Sequence, residues 1–289
     1  MITSEKIKNL RLKTGAGMMD CKKALEEVNG DIDSAVDWLR KRGISKAQKK
    51  STRDASEGLI TIAIKDQSAS IVEINCETDF VARNQDFQLF CEKLSYIVVE
   101  KKILNIDDLL NERLDSNLVK DELTSMIAKV GENLVVKRIN FFKGENVFFQ
   151  KYIHNAVNDK SGKIGVLLEY SAKPNFKDEE NITKNLCMHI AATDPKSIFP
   201  EDLSSDLIDR EKSIFVEQLS SSGKPKDIIE KIVEGKINKF YEEVCLFEQY
   251  FVMDNKIKIR QYLNNYNMKY NCDLLIKNFI IFKVGEISA

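Results

Sequence analysis

Histidine is scarce in this chain: 289 residues contain only His154 and His189. Acid–base and nucleophilic catalysis therefore have few candidates. Cys187 and His189 lie two apart, a spacing that points them to different faces of a helix, so a structural histidine is the favoured reading over a Cys–His pair. The six cysteines form no C-x-x-C pair, which leaves neither a zinc site nor a thioredoxin-like site signalled; they read as small buried hydrophobes. No G-x-x-x-x-G-K-[ST] phosphate loop exists. Ser161-Gly162-Lys163 lacks its glycine spacing, so the chain is not expected to hold a nucleotide itself, nor any other cofactor. Glu77 and Asp79 alternate along an extended segment, but no further metal ligand is evident beside them. No apolar run reaches the roughly 20 residues of a membrane helix. The N-terminus lacks the apolar core of a signal peptide, so the expected location is cytoplasmic.

Charge of one sign is also lacking. The formal net charge is -1, with 31% charged residues. Gripping nucleic acid through its phosphates needs a basic excess, so the balance favours a protein–protein partner. The basic run from Arg40 to Arg53 has no interleaved aromatics and reads as a helix terminus plus a solvated linker.

The first 44 residues read as three short helices. Ile7 and Leu10 mark the first, which Thr14-Gly15-Ala16-Gly17 breaks. Asp20 assists the start of the second, which carries Ala24, Leu25 and Val28 and stops at Asn29-Gly30. Asp31 caps the third, where Ile32, Ala35, Val36 and Leu39 recur at helical spacing and Arg40-Lys41-Arg42-Gly43 marks the end. Residues 45–57 read as a linker, helical in part.

From Leu59 the period changes. Ile60, Ile62 and Ile64 alternate, Asp66-Gln67-Ser68 turns, and Ile71 to Cys76 returns as a strand, giving a β-hairpin. Phe87, Phe90, Cys91, Leu94 and Val98 follow helical spacing. A helix is predicted from Leu118 to Val130 and a strand from Leu134 to Phe142. The order then recurs: a second hairpin from Val147 to Ile153 and Ile164 to Tyr170, then helices, then a strand from Leu274 to Lys283. Leu134-Val135-Val136-Lys137 and Leu274-Leu275-Ile276-Lys277 share a pattern that suggests duplication. An antiparallel helical pair is inserted in the second half, with arms from Asp206 to Ser221 and Pro225 to Tyr241 and a turn at Ser222-Gly223-Lys224-Pro225. Such a pair suits dimerisation or another partner equally well.

Several stretches together resemble the elongation factor Ts family, the exchange factors for the translational GTPase elongation factor Tu. The two longest are Leu10-Arg11-x-x-Thr14-Gly15-Ala16-Gly17-Met18-Met19-Asp20-Cys21-Lys22-Lys23-Ala24-Leu25 and Glu73-x-Asn75-Cys76-Glu77-Thr78-Asp79-Phe80-Val81-Ala82-Arg83-Asn84. Gly131-Glu132-Asn133, His189-Ile190-Ala191-Ala192, Ser222-Gly223-Lys224-Pro225, Val233-Glu234-Gly235-Lys236 and Phe251-Val252-Met253 follow in family order.

The resemblance implies an α+β fold. Residues 1–44 would form a three-helix module like ubiquitin-associated domains, and 45–57 a linker. The core would be duplicated, with antiparallel sheets, as an N-subdomain (58–143) and a C-subdomain (144–289). An antiparallel coiled-coil hairpin would be inserted at about 203–242.

It also implies a translation elongation factor, not an enzyme, with elongation factor Tu as partner. Met18, Met19 and Lys22 would dock on the nucleotide-binding domain of that GTPase. Thr78, Asp79, Phe80 and Val81 would disturb its magnesium and phosphate site. Gly131, Glu132, Asn133 and His154 would add contacts, and Val252 and Met253 would grip a second domain. The chain ends soon after the last strand, where longer family members continue into a helical module. An RNA- or ribosome-binding protein using the basic linker, and an enzyme using Cys187 and His189, remain as the competing classes.

Overall fold

The computed structural model describes residues 2–173, 179–220 and 225–286. The protein is α+β, with antiparallel strand pairing. It divides into two units. The first comprises the residues up to Lys143, Ile153–Gly165 and those from Phe282 on; the second comprises Gly144–Tyr152 and Val166–Ile281.

The first unit begins with α1 (Ser4–Thr14), α2 (Met18–Glu27) and α3 (Ile32–Lys50). The expected stops occur where the backbone needs glycine: Gly15 closes α1 at φ 65° and Gly30 follows α2 at φ 83°. Asp31 caps α3, accepting the Ser34 N–H at 2.7 Å. Leu10, Cys21, Ala24, Leu25 and Ala35 form a small buried core. One expectation fails here. Gly43 does not end α3, which runs on to Lys50, so residues 45–50 are helical. Gly43 is buried instead, where a Cβ would lie 3.6 Å from Ala128. A glycine that allows close helix packing is indistinguishable, by sequence, from one that ends a helix.

Next come β1 (Glu57–Lys65) and β2 (Ser68–Cys76), paired around the turn at Asp66-Gln67. They lead into a four-residue α4 (Asp79–Ala82), α5 (Gln85–Lys101) and α6 (Ile106–Asn111). A two-residue ladder, β3 (Arg113–Leu114) with β4 (Asn117–Leu118), precedes α7 (Val119–Val130) and β5 (Leu134–Lys143). The strand order in this unit is β5-β2-β1, joined by the start of β7 (Ser161–Ser171). Both members of the expected β1 alternation are buried, so the strand is covered on both faces. The apolar stripe of α5, including Phe87 and Leu94, closes a core with Leu59, Val72, Ile74 and Leu134. On the opposite face of β2 from Val72 and Ile74, Glu73 is fully buried, held by Arg138 at 2.6 Å and by the Gly285 N–H at 3.0 Å.

Gly58 of β1 sits opposite Asn75 at φ 149°, and a Cβ there would come within 2.3 Å of the Ile74 carbonyl oxygen. Gly58→Ala is therefore expected to destabilise the fold by about 1–2 kcal/mol, read as a lower midpoint in urea unfolding with an unchanged slope.

In the second unit, β7 lies between β6 (Phe148–Asn158) and β10 (Leu275–Lys283). Between β7 and β10 the chain forms α8 (Glu179–Thr193), α9 (Ser205–Ser220), α10 (Lys226–Val244), a hairpin of β8 (Tyr250–Phe251) with β9 (Asp254–Lys258), and α11 (Ile259–Tyr270). Val166, Leu168, Leu186, Ile190, Leu263 and Leu274 anchor its core. The helices α9 and α10 pack together. No residue of α9 is buried, and α10 buries only Val233 and Ile237 of its expected stripe. Residues 222–224 of the expected turn, and 287–289 at the chain end, lie outside the described residues. The β8–β9 hairpin and α11 were not placed by sequence periodicity. All six cysteines are free and buried.

Candidate functional site

The tetrad Thr78-Asp79-Phe80-Val81 occupies the corner where β2 turns into α4. Thr78 is extended, at φ -130° and ψ 159°, and caps the short helix without a side-chain bond to it. Val81 and Ala82 are buried in the first unit's core, which pins the helix from behind. Asn84 then caps α5, accepting from Asp86 N at 2.9 Å and Phe87 N at 3.2 Å. Asp79 pairs with Arg83 at 3.2 Å. The corner is rigid on these grounds, yet Phe80 is 82% exposed. Phe80 is therefore not a core aromatic. The two residues that follow it fill the core, and a four-residue helix leaves its outer face to solvent.

Gly131-Glu132-Asn133 meets this corner. Gly131 ends α7 in the left-handed region, at φ 81°. Glu132 Oε2 accepts from Glu77 N at 3.1 Å and Thr78 N at 3.0 Å, and its Oε1 accepts the Thr78 hydroxyl at 2.6 Å. In return Glu77 Oε1 accepts the Asn133 N–H at 2.6 Å. Asn133 is buried and donates through Nδ2 to the Arg53 carbonyl at 2.9 Å. Glu77 and Asp79 thus take separate partners within the protein. The paired motifs, 55 residues apart in sequence at Glu77 and Glu132, carry no local signal of contact.

Met18, Met19 and Lys22 lie on α2, with Met18 49% and Met19 74% exposed. Lys22 reaches Glu26 at 3.8 Å. Asp20 bridges α2 to α3, at 3.0 Å from Lys46 and 3.9 Å from Arg42. Leu12 on α1 is also exposed, an apolar residue that periodicity did not single out. Much of the basic run is engaged internally: Arg40 with Asp121 at 2.6 Å, Arg53 with Glu77 at 3.4 Å, and Lys50 with the Gly131 carbonyl. His154 is exposed on β6.

In the second unit, Val252 and Met253 form the tip of the β8–β9 hairpin, both half exposed. Its support is His189. The imidazole Nδ1 accepts the Val252 N–H at 3.3 Å, so the ring proton sits on Nε2, which donates to Gln249 Oε1 at 3.0 Å. Gln249 Nε2 in turn donates to the Glu243 carbonyl at 2.7 Å. Burial pulls the His189 pKa down to about 4, against a smaller opposing effect of the Gln249 hydrogen bond. Cys187 faces elsewhere, its thiol donating to the Gln150 carbonyl at 3.8 Å, and burial pushes its pKa well up. A protonated thiol and a neutral, buried imidazole with different partners do not make a nucleophile–base pair.

Among the described residues no helix is long and apolar enough to cross a membrane, and no cluster of three His, Cys, Asp or Glu side chains is arranged to hold a metal. Fold and surfaces together define an α+β protein with exposed apolar side chains at Met18, Met19, Phe80, Val252 and Met253.

Comparison with known proteins gives the family. The elongation factor TS family matches residues 77–286. Elongation factor Ts of Clostridium botulinum (strain Eklund 17B / Type B) is 41% identical over 289 residues, covering 99% of this chain and 94% of that protein. Elongation factor Ts of Rhodospirillum rubrum is 42% identical, with 99% and 93% covered. That of Paracoccus denitrificans is 43% identical over 260 residues, with 90% and 86% covered. The chain belongs to the elongation factor Ts family, a family of translation elongation factors of protein biosynthesis.

Proposed function

We propose that the protein binds elongation factor Tu carrying GDP and promotes release of the nucleotide by disturbing its magnesium and phosphate site, so that GTP can reload. The observation that carries this reading is Phe80: a large apolar side chain, 82% exposed, on a helix whose next two residues are locked in the core. An aromatic so presented is suited to enter another protein.

Magnesium demands near-ideal octahedral geometry, and a phosphate grip depends on aimed backbone N–H groups. A small displacement by a rigid wedge therefore weakens both. Asp79 and Phe80 are the wedge, with Thr78 and Val81 completing the segment. The first three helices, as a ubiquitin-associated-like module over 1–44, dock through Met18, Met19 and Lys22 on the nucleotide-binding domain of the GTPase; thioether side chains suit an adaptable contact. Val252 and Met253 grip a second domain, and His154 and the 131–133 loop add contacts. Binding energy at these surfaces offsets the distortion at the wedge. Linkage makes the effect reciprocal: nucleotide weakens factor binding as much as factor weakens nucleotide binding. GTP then expels the factor, with no covalent step.

The same reading divides the rest into a linker (45–57) and duplicated core halves (58–143 and 144–289), with α9 and α10 as an antiparallel coiled-coil hairpin. It also places the protein in the cytoplasm.

The direct test is release of fluorescent GDP from elongation factor Tu with and without this protein. Acceleration supports the reading; an unchanged release rate refutes it.

A further inference from the structure

We propose that Glu132 is a positioning residue for the wedge and not a contact with the partner: its carboxylate fixes the turn from which Phe80 projects. This inference rests on the exchange reading above. Phe80 has a core behind it but nothing of its own to steer it, so its direction is set by the backbone of residues 77–79. On the core side Val81 and Ala82 hold that backbone. On the other side the holding group is the Glu132 carboxylate, whose two oxygens take the Glu77 and Thr78 N–H groups and the Thr78 hydroxyl. Bonds from neutral donors to a carboxylate are about twice as strong as neutral pairs. Three on one group leave Thr78 little torsional freedom.

The clamp is built from both loops. The Asn133 N–H returns to Glu77 Oε1 at 2.6 Å. The Asn133 side chain and the Gly131 carbonyl are tied to Arg53 and Lys50, in and just beyond the end of α3. β5 begins immediately afterwards, with Leu134 opposite Cys76 of β2. Glu132 is therefore delivered to Thr78 by the end of α7 and the start of the β2–β5 ladder together. With both oxygens committed internally, it is placed as an internal strut.

Three chains decide the matter: wild type, Glu132→Ala and Glu132→Gln. Each is mixed over a range of concentrations with elongation factor Tu carrying fluorescent GDP, and the free proteins are followed by thermal melting and by amide hydrogen exchange over residues 77–80. The expected result for Glu132→Ala is a maximal release rate lowered about tenfold, equivalent to ~1.4 kcal/mol. Its half-maximal concentration should change less than twofold, with faster amide exchange at Glu77 and Thr78. Glu132→Gln keeps one acceptor oxygen and should recover part of the rate; it also serves as the measured variant if the alanine chain does not fold.

Three results would overturn the proposal. One is a wild-type maximal rate in a variant that has lost Glu132. Another is a loss confined to the half-maximal concentration, which would make Glu132 a partner contact. The third is unchanged amide protection at residues 77 and 78. If the wild-type chain itself releases no GDP, the exchange reading fails first and the positioning role falls with it. The wild-type measurement thus separates the two failures.

Discussion

Phe80→Ala is expected to slow GDP release from elongation factor Tu by roughly 30- to 100-fold at saturating factor. That is the rate equivalent of about 2–3 kcal/mol for truncating an anchoring aromatic. The fold should not notice the change. Phe80 is 82% exposed, and exposed substitutions away from caps and cores alter stability by about 0.5 kcal/mol or less. The comparison that matters is between rate and affinity. A wedge works in the transition to the open partner, so the maximal release rate must fall by more than the affinity of the complex. Stopped-flow release over a concentration series gives both quantities. Equal losses would make Phe80 a simple anchor and would leave the distortion to another residue.

Acid should cost this fold about 3 kcal/mol through His189 alone. The ordinary imidazole value is near 6.5, and burial holds the folded one at about 4. Below pH 6.5 the unfolded chain takes up a proton that the folded chain refuses, so the unfolded state gains. The penalty grows by ~1.4 kcal/mol per pH unit until the folded ring itself protonates near pH 4. Stability is thus unaffected by this group above about pH 6.5 and is lost as the pH falls from there towards 4. Carboxylates titrate in the same range, so the experiment compares slopes. Urea unfolding at pH 7 and pH 4.5 should show wild type losing roughly 2–3 kcal/mol more than His189→Gln, which does not titrate there. Parallel losses would mean that the imidazole charges as readily in the fold as outside it. Protonation would remove the acceptor for the Val252 N–H, so the hairpin tip should loosen as the fold weakens.

Sequence legibility followed the range of the signals. Caps and breaks acting over a few residues were readable: α1 stops at Gly15 and α2 before Gly30, both at positive φ although Gly17 is at φ -61°, Asp31 caps α3, and Asp66-Gln67 turns. The apolar stripe of α5, with Phe87, Phe90, Cys91, Leu94 and Val98, is buried as its spacing required. Gly43 misled because its role depends on Ala128, a residue of another helix. The β8–β9 hairpin carries no periodic signal, because β8 has two residues and β9 alternates no apolar side chains over Asp254-Asn255-Lys256.

The candidate site shows the same division. The exposure of Phe80 fits the polar Thr78-Asp79 before it and Arg83-Asn84 beyond the buried Val81 and Ala82. That Glu132 is bonded to Thr78 was not readable from either segment alone. Each is a short polar stretch, and only the pairing of β5 with β2 brings them together. His189 reads as structural because Cys187, two residues away, faces another side of the helix. Its link to Val252 needed the fold, since 63 residues separate the two.

The burial of all six thiols makes the protein a convenient carrier for a spectroscopic reporter. A maleimide attacks as its target becomes thiolate and accessible, and here burial denies the reagent access at every native cysteine while pushing the Cys76 pKa up to about 12. A single cysteine introduced at the exposed Leu12 should react far faster than any native one. Labelling would then need no cysteine-free background, and a dye could follow the approach of the N-terminal helices to a GTPase in real time.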